Sequence, residues 1–267
     1  MPSLTLMKAA AWVAVGMVPP PMLALAAPGD VRELVAAARG APPALCALAA
    51  RSVGNGWGGG YDAPAPPLPQ VRERRWREPL SAEEQRFLLG SLATDDPCVQ
   101  EVAIRLLGMQ EGELVVNGLR ERLAAPDSAL RAVAALGLGL VDAESAVEAL
   151  LRAARDQVAR VRANAIWALG RISDGRALRP AVSALGDDAA MVRETAAGTI
   201  GRLDSSSAVP ALLRVLREDA VPNVRRTAAW ALGTLDERSA AEGLAAALRG
   251  DKDATVREMS AWALGNL

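Results

Sequence analysis

One phrase of twelve residues recurs along most of the chain and constrains its fold more than any other feature. It reads V-R-R-T-A-A-W-A-L-G-T-L from Val224 to Leu235, with close copies at 161–172 and 256–267 and looser ones that begin at Leu130 and Val192. The glycine near the end of each copy defines the repeat frame, at Gly108, Gly139, Gly170, Gly201, Gly233 and Gly265. These glycines are 31 or 32 residues apart, and a period of this size predicts a stack of one repeated supersecondary unit.

Each repeat contains two amphipathic helices. Within the phrase, the apolar positions stand nine, five, two and one residues before the frame glycine and two after it, which places them on one stripe of a helix that we call helix A. The spacer has apolar residues at i, i+3, i+4 and i+7, which predicts a second helix, helix B; an example is Val147, Leu150, Leu151 and Ala154. Residues 81–267 are therefore predicted to be all-α, an α-solenoid or superhelix of about five to six helical hairpins.

Polar residues at both turns of the repeat are typical of helix N-caps, whose side chains accept hydrogen bonds from free backbone amides. The predicted caps between helix A and helix B are Asp142, Ser173, Asp204 and Asp236. Those between helix B and the next helix A are Asp127, Asp187, Asp188, Asp219, Asp251 and Asp253. Ser81 and Glu84 match the S-x-x-E capping box, which predicts that a helix begins there.

The repeated phrase, V-R-x-x-A-A-x-A-L-G followed by an acidic or polar turn, resembles the signature of HEAT-like repeats of the phycobilisome-lyase type. The resemblance covers residues 81–267 well and the preceding segment weakly. It implies an α-solenoid that is used mostly as an interaction scaffold and only occasionally as an enzyme. In repeats of this kind, helix B supplies the inner, concave surface.

The outward positions of helix B are basic in the middle of the chain, although the whole chain has a formal charge of −1. We expect this concave face to bind a protein partner that has an acidic segment. The alternative is a solvated face whose charges keep the solenoid soluble. The candidate contact residues are Glu148, Arg152, Arg155, Arg179, Ser183, Arg214, Arg217 and Arg249.

Helix A carries two further recurring side chains. Arginines eight residues before the frame glycine are expected to form a structural ladder with turn aspartates of the adjacent repeat, the alternative being an anion-binding row: Arg131, Arg162, Arg193, Arg225 and Arg257. Tryptophans three residues before the glycine are expected to fill the grooves between successive helices A, the alternative being a ligand cage: Trp167, Trp230 and Trp262. Gly198 takes the equivalent place in the intervening repeat and is expected to leave room for an indole.

The chain contains no histidine. This absence removes the usual general base, the commonest metal ligand and the Ser-His and Cys-His nucleophile pairs. We therefore predict no catalytic residue, no metal site and no cofactor. Among HEAT-like enzymes, deoxyhypusine hydroxylase uses His-Glu pairs to hold a di-iron site, and that ligand set cannot be assembled from this sequence. The balance of 30 basic against 31 acidic residues also disfavours a nucleic-acid-binding protein.

Residues 1–26 resemble an export signal. They contain an early lysine at Lys8, an apolar middle and small residues at Ala24 and Ala26, and cleavage after Ala26 is predicted. The mature protein is then periplasmic or secreted. Prolines at 19–21 interrupt the apolar run and disfavour a spanning helix. An uncleaved segment that tethers the chain to a membrane, or a cytoplasmic protein, are the alternatives.

Two segments precede the regular repeats. Residues 27–54 are predicted to form short capping helices, and residues 55–80 a flexible insertion rich in Gly and Pro. The insertion holds Trp57, Tyr61 and Trp76 beside several arginines, and such clusters on loops are enriched at binding sites. The alternative is that one of these rings packs the loop against the solenoid.

Cys46 and Cys98 are the two cysteines of the chain, at nearly matching heights in the first two predicted helices A. Export makes a disulfide between them chemically allowed. The alternative is two buried residues that act as small hydrophobic side chains.

The sequence stops at Leu267 without a helix B after the last helix A. The apolar side of that helix is therefore expected to dock on a partner or on a second copy, as a homodimer through this C-terminal edge; a shortened reading frame is the alternative. The function predicted from these features is an exported, non-catalytic scaffold that binds a protein partner through the concave helix-B face. The alternative from the resemblance is a phycobilin-lyase-like protein or another HEAT-repeat enzyme accessory.

Overall fold

A computed structural model describes residues 31–42 and 79–267 of the chain. Within these residues it contains 13 α-helices and no β-strand. The chain divides into two compact units, Met1–Glu111 and Gly112–Leu267. The described part of the first unit contains α1 (Val31–Ala38), α2 (Ala82–Ser91) and α3 (Pro97–Leu107).

The remaining helices belong to the second unit. They are α4 (Glu113–Leu123), α5 (Ser128–Leu140), α6 (Val147–Ala153), α7 (Ala159–Ile172), α8 (Leu178–Ala184), α9 (Ala190–Arg202), α10 (Val209–Glu218), α11 (Pro222–Thr234), α12 (Ala241–Gly250) and α13 (Ala254–Gly265). A single turn of 3₁₀ helix precedes each of α6, α8, α10 and α12, at Glu144–Ala146, Gly175–Ala177, Ser206–Ala208 and Arg238–Ala240.

The second unit is a stack of helical hairpins. The odd-numbered helices from α5 to α13 are the predicted helices A, and each packs against the next one along the chain. The even-numbered helices from α4 to α12 are helices B, and each packs against the helix A that follows it. The second unit contains five such hairpins, and the first unit contains the α2–α3 pair. The predicted all-α solenoid of about five to six hairpins is confirmed.

In the first unit, two acidic side chains fix the starts of helices. The predicted capping box is confirmed, since Ser81 Oγ accepts from the amide of Glu84 and the Glu84 carboxylate accepts from the amide of Ser81 at 2.8 Å. Asp96 caps α3 by accepting from the amides of Cys98 and Val99. Its second oxygen accepts from the amide of Gly40 at 2.6 Å, and this bond is the main cause that lowers the pKa of Asp96. Asp96 thus ties the end of α1 to the start of α3.

The core runs through the second unit as a seam of mostly small residues at fixed places in the repeat. The valines nine residues before the frame glycine have no exposed surface: Val161, Val192, Val224 and Val256. The residues five before it are equally buried: Ala134, Ala165, Ala196, Ala228 and, in α13, Ser260. Because these side chains are small, successive helices A can approach each other closely.

The frame glycines allow this close approach. A Cβ atom added to Gly139 would lie 2.6 Å from Cα of Ala168 and 2.6 Å from Cζ3 of Trp167, both on the next helix A. Trp230 and Trp262 lie in the same way over Gly201 and Gly233. The tryptophans therefore lie between successive helices A, each over the frame glycine of the preceding repeat.

One expectation about these tryptophans is wrong. Gly198 does not make room for an indole, because the nearest atom to a Cβ added there is the methyl carbon of Thr227, at 3.7 Å. Since residue 198 is not a tryptophan, the frame glycine of the preceding repeat, Gly170, is covered by Thr199 instead, whose Cγ2 would lie 2.7 Å from an added Cβ. The indoles therefore pack over frame glycines, and where no tryptophan is present a threonine takes that place.

The turns from helix A to helix B also differ from the prediction. The four predicted caps adopt left-handed backbone conformations, with φ between 48° and 56°: Asp142, Ser173, Asp204 and Asp236. They end helix A and do not cap helix B. A left-handed residue after the last helical turn is a common way to end a helix, and Asp tolerates it better than most residues. The only side-chain cap at the start of these four 3₁₀ turns comes from Asp174, which accepts from the amide of Arg176.

Several predictions concern residues outside the described ranges. These are the export signal at 1–26, Cys46, and the aromatic residues Trp57, Tyr61 and Trp76. Within 31–42 and 79–267, no helix has both the length and the apolar character needed to cross a bilayer.

Candidate partner-binding surface

The helices B present one exposed stripe to solvent. Its positions stand nine, thirteen and sixteen residues after the frame glycine, a spacing of i, i+4 and i+7 that follows one side of a helix. All eight predicted contact residues are exposed: Glu148, Arg152, Arg155, Arg179, Ser183, Arg214, Arg217 and Arg249. We call this set the helix-B face.

The opposite side of each helix B holds these residues in place. In α10, Leu212 and Leu216 are 0% and 2% exposed, whereas Arg214 and Arg217 point away from the core. In α6, Leu150 is fully buried. Burial of each leucine contributes on the order of 2 kcal/mol, so packing against helix A decides which side chains of helix B reach solvent.

The helix-B face is basic, and most of its charge is uncompensated. Glu148 pairs with Arg176 at 2.5 Å, and Arg217 pairs with its neighbour Glu218 at 2.5 Å. Within the described residues, no hydrogen bond or ion pair is made by the side chains of Arg152, Arg155, Arg179, Arg214 and Arg249. An exposed guanidinium without an internal acceptor keeps its donors available for a carboxylate on another molecule.

The recurring arginines of helix A lie elsewhere and are differently occupied. Each of four arginines donates through Nε and Nη2 to an aspartate in the turn of the following repeat: Arg131 to Asp156, Arg162 to Asp187, Arg193 to Asp219, and Arg225 to Asp251. Nη1 of each donates to two carbonyl oxygens in the turn before its own helix. Protein acceptors take four of the five N–H donors of each guanidinium and neutralise its charge, so these arginines are less available to an external anion than the exposed arginines of helix B.

Arg257 makes only the second half of this pattern. Its Nη1 donates to the carbonyl oxygens of Asp251 and Lys252, at 2.9 and 3.2 Å. Among the residues that the structure describes, no carboxylate pairs with its guanidinium.

The arginines shift the titration of their aspartates. The side-chain hydrogen bond from arginine is the main reason that the pKa values of Asp156, Asp187 and Asp251 are below their ordinary value. For Asp219 the largest effect is burial, which raises the pKa, but hydrogen bonds from Arg193 and the amide of Val221 help to bring the net value below normal. All four carboxylates are therefore charged at neutral pH, as the ladder requires.

Asp156 was not predicted from the sequence as a turn residue of interest. It stands 17 residues after its frame glycine, as Asp187 does. Its position in the repeat was therefore sufficient to predict its role as a turn residue. Its Oδ1 accepts from the amide of Val158 at 2.8 Å while both carboxylate oxygens accept from Arg131. The same carboxylate thus shapes the turn and binds the preceding repeat.

Two other predicted features can be placed in part. Cys98 is 2% exposed at the start of α3 and is disulfide-bonded; Cys46 stays its predicted partner. At the C-terminal edge, Trp262 is 45% exposed and Leu264 and Leu267 are half-buried. A homodimer through this edge stays a prediction.

The structure adds no candidate for metal chemistry. Within 31–42 and 79–267, no group of three or more Cys, Asp or Glu side chains is arranged to hold a metal ion, and the chain has no histidine.

A stack of helical hairpins with one exposed face of helices B defines a repeat protein of the α-solenoid class. The HEAT-repeat family matches residues 116–197 and 178–265, which together span more than half of the 267 residues. The chain therefore belongs to the HEAT-repeat family, and the resemblance seen in its sequence is confirmed.

Several solved structures are similar to this chain. An engineered protein is 20% identical, with 68% of this chain and 96% of that chain covered and a TM-score of 0.49. The complex of CpcE and CpcF of phycocyanin lyase from Nostoc sp. PCC7120 is 26% identical, with 55% and 96% covered and a TM-score of 0.48. A designed armadillo repeat protein in complex with the peptide (KR)4 is 19% identical, with 68% and 99% covered and a TM-score of 0.47. Among curated proteins no sequence matches the chain.

Proposed function

We propose that this chain is an exported, non-catalytic scaffold that binds an acidic segment of a partner protein on the helix-B face. HEAT repeats generally mediate binding between proteins. For this chain, the observation that carries the proposal is the group of exposed arginines on helices α6, α8, α10 and α12 that lack an ion-pair partner in the described residues. Charge-assisted hydrogen bonds to guanidinium are among the strong ones, and arginine matches a carboxylate in two-point geometry.

The distribution of charge supports an acidic partner. The chain as a whole has a net charge of −1. In the turns between repeats, each aspartate of the ladder is neutralised by an arginine of the preceding repeat. The helix-B face contains six arginines and Glu148, which Arg176 already pairs. By the same register the exposed Glu121 and Glu242 also lie on this stripe, so arginines outnumber glutamates there by six to three. An excess of one charge on one face of a nearly neutral protein steers a partner of the opposite charge to that face.

The test is a triple charge reversal. Arg152, Arg179 and Arg214 are changed to Glu, and the purified chain is used to capture proteins from an envelope extract of the source cells. We expect partners that wild type retains to be lost, since the substitutions replace attraction with repulsion. Recovery of the same partners in the same amounts would overturn the proposal for this face.

A matched control separates location from charge. Arg160, Arg202 and Arg238 are also exposed, and they lie outside the helix-B face. Their change to Glu alters the net charge equally. We expect this control to capture the partners as wild type does, whereas equal loss in both triple variants would indicate non-specific electrostatics.

Export is the second part of the proposal. The disulfide at Cys98 supports it, because disulfides persist mainly in oxidising compartments outside the cytosol. Fractionation of cells that express the full chain should place the protein in the periplasm or medium, with a mature N-terminus at Ala27. A cytoplasmic protein that retains residues 1–26 would contradict this part and leave the binding surface untouched.

A further inference from the structure

A groove of about 1020 Å³ lies between α10 and α12 and reaches the turns that follow them. Its apolar lining includes Leu213 of α10 and Ala246 and Ala247 of α12. At one end the two helices touch, since a Cβ atom added to Gly243 would lie 2.4 Å from Cδ2 of Leu213. At the other end, a Cβ added to Gly250 would meet no atom within 4 Å. The groove is therefore closed near the start of α12 and open near its end.

The groove arises from a local departure in the repeat. The position thirteen residues after the frame glycine is Arg152 in α6, Ser183 in α8 and Arg214 in α10, but Ala246 in α12. Small residues continue along the same side of α12 at Gly243, Ala247 and Gly250. Ala246 is exposed, so no long side chain of α12 covers the apolar lining at this point.

The open end of the groove has free positive charge. Lys252 lines it and is exposed, and no carboxylate within the described residues pairs with it. Arg217 also lines the groove but already pairs with Glu218. The aspartates of this end already have partners. Asp219 and Asp251 bind the ladder arginines, and Asp253 accepts from the amide and hydroxyl of Thr255 at 2.8 and 2.6 Å.

We propose that this groove binds an apolar side chain of the partner segment, with a carboxylate beside it that pairs with Lys252. The inference rests on the proposed function and states the chemistry of the partner, an acidic segment with one apolar anchor. The apolar contact supplies net affinity that the exposed arginines of the helix-B face do not. In water, exposed ion pairs contribute little net affinity, whereas a buried apolar side chain contributes in proportion to its buried area.

The experiment starts from a displayed library of random twelve-residue peptides, selected on the purified full chain. We expect enriched peptides to contain Asp or Glu on either side of one Leu, Ile, Met or aromatic residue. An enriched peptide is then synthesised with a fluorescent label, together with a version whose apolar anchor is Ala. Because the anchor loses several buried methylene groups, we expect the Ala version to bind wild type about tenfold more weakly in fluorescence anisotropy.

Two variants place the anchor. Ala246→Gln places a longer uncharged side chain in the groove, and Ala36→Gln makes the same change at an exposed position of α1, outside the helix-B face. Ala246→Gln should remove the tenfold preference for the anchored peptide, and Ala36→Gln should keep it. Unchanged circular dichroism and thermal unfolding for Ala246→Gln would show that a lost preference is not caused by misfolding.

The two proposals fail in different ways. Equal binding of the anchored and Ala peptides, or an undiminished preference in Ala246→Gln, would overturn the groove as the anchor site. Enriched peptides without acidic residues, or peptides that bind equally to the Arg152, Arg179 and Arg214 triple Glu variant, would instead overturn the acidic partner on the helix-B face. A selection that enriches no peptide would overturn both.

Discussion

Arg162 of α7 and Asp187, in the turn before α9, are joined by two parallel hydrogen bonds, Nε to Oδ2 and Nη2 to Oδ1, both at 2.7 Å. The remaining nitrogen, Nη1, donates to the carbonyl oxygens of Asp156 and Gln157 at 2.9 and 3.0 Å. One guanidinium thus connects the turn before its own helix to the corresponding turn of the next repeat. The planar fork of arginine is needed for all of these bonds at once.

Replacement of Arg162 by Lys tests this geometry without a change in charge. Lysine has a single nitrogen and cannot reach both carboxylate oxygens and both carbonyls. Asp187 is largely buried, with 13% of its side chain exposed, so its lost hydrogen bonds are not fully replaced by water. We expect the free energy of unfolding to fall by about 1–3 kcal/mol, measured by urea unfolding followed by circular dichroism.

Arg257→Lys is the matched control, since Arg257 makes only the two carbonyl contacts. Its loss should be roughly 1 kcal/mol or less. Equal losses for the two variants would mean that the ion pair of Arg162 contributes nothing beyond its contacts with the turn.

The ladder also predicts how stability depends on pH. The pKa values of Asp156, Asp187 and Asp251 are lower in the folded chain than their ordinary 3.8, mainly because of the arginine hydrogen bonds. A carboxyl of this kind stabilises the fold above its unfolded pKa, and the contribution is lost as the pH falls through the folded pKa. The free energy of unfolding should therefore be maintained above about pH 5 and decrease progressively below about pH 4.

Asp187→Asn removes one of the carboxyl groups that make the stability depend on pH. We expect the variant to be less stable than wild type at neutral pH and to lose less further stability between about pH 5 and pH 3. Asp188→Asn, at the neighbouring exposed aspartate, should keep the wild-type profile. Parallel profiles for wild type and Asp187→Asn would contradict the assignment of this dependence to the ladder.

The repeat architecture could be predicted from sequence because its determinants are local and recur. The apolar positions before each frame glycine are the same residues that are buried, as Val161, Val192 and Val224 illustrate. In a stack of repeats, the same interface forms between each pair of neighbouring hairpins. Once the repeat register is known, the position of every helix follows from it. The exposed positions of helix B followed from the same register.

Other features could not be predicted because they depend on exact backbone geometry or on distances between helices. Asp142 and Asp236 look like helix-start caps in sequence, yet their left-handed conformation assigns them to the end of helix A. The groove beside Ala246 depends on how far α12 stands from α10, which periodicity does not report. The small residues at 243, 246, 247 and 250 were its only sequence signal.

The frame glycines provide a stability test. In Gly139→Ala, the new Cβ would lie 2.6 Å from Cα of Ala168, a backbone atom that cannot move without a shift of α7. Overpacking of this kind costs typically 1–3 kcal/mol, and we expect a lower thermal unfolding temperature. Gly90→Ala in α2 is the control, because an added Cβ there meets nothing within 4 Å. It should leave stability unchanged or raise it by up to about 1 kcal/mol, since alanine favours helix.

The left-handed residues predict a substitution that stabilises the chain. Ser173 ends α7 with φ 56° and ψ 32°, and no side-chain hydrogen bond compensates for this conformation within the described residues. A residue with a Cβ in this region is strained by roughly 1 kcal/mol or more relative to glycine. Glycine loses more backbone entropy on folding, by roughly 0.5–1 kcal/mol, which offsets part of the gain. Ser173→Gly should therefore raise the free energy of unfolding by a few tenths to about 1 kcal/mol.

Ser205→Gly distinguishes relief of strain from a general effect of glycine. Ser205 precedes the next helix B in an ordinary extended conformation, with φ −116° and ψ 104°. The same substitution there removes no strain and adds only the entropy cost, together with the loss of a hydrogen bond to Ser207. Its free energy of unfolding should fall, by about 0.5–1 kcal/mol. The opposite signs expected for two chemically identical substitutions make the comparison decisive: a decrease at both positions would show that the left-handed conformation of Ser173 stores no strain that glycine can release.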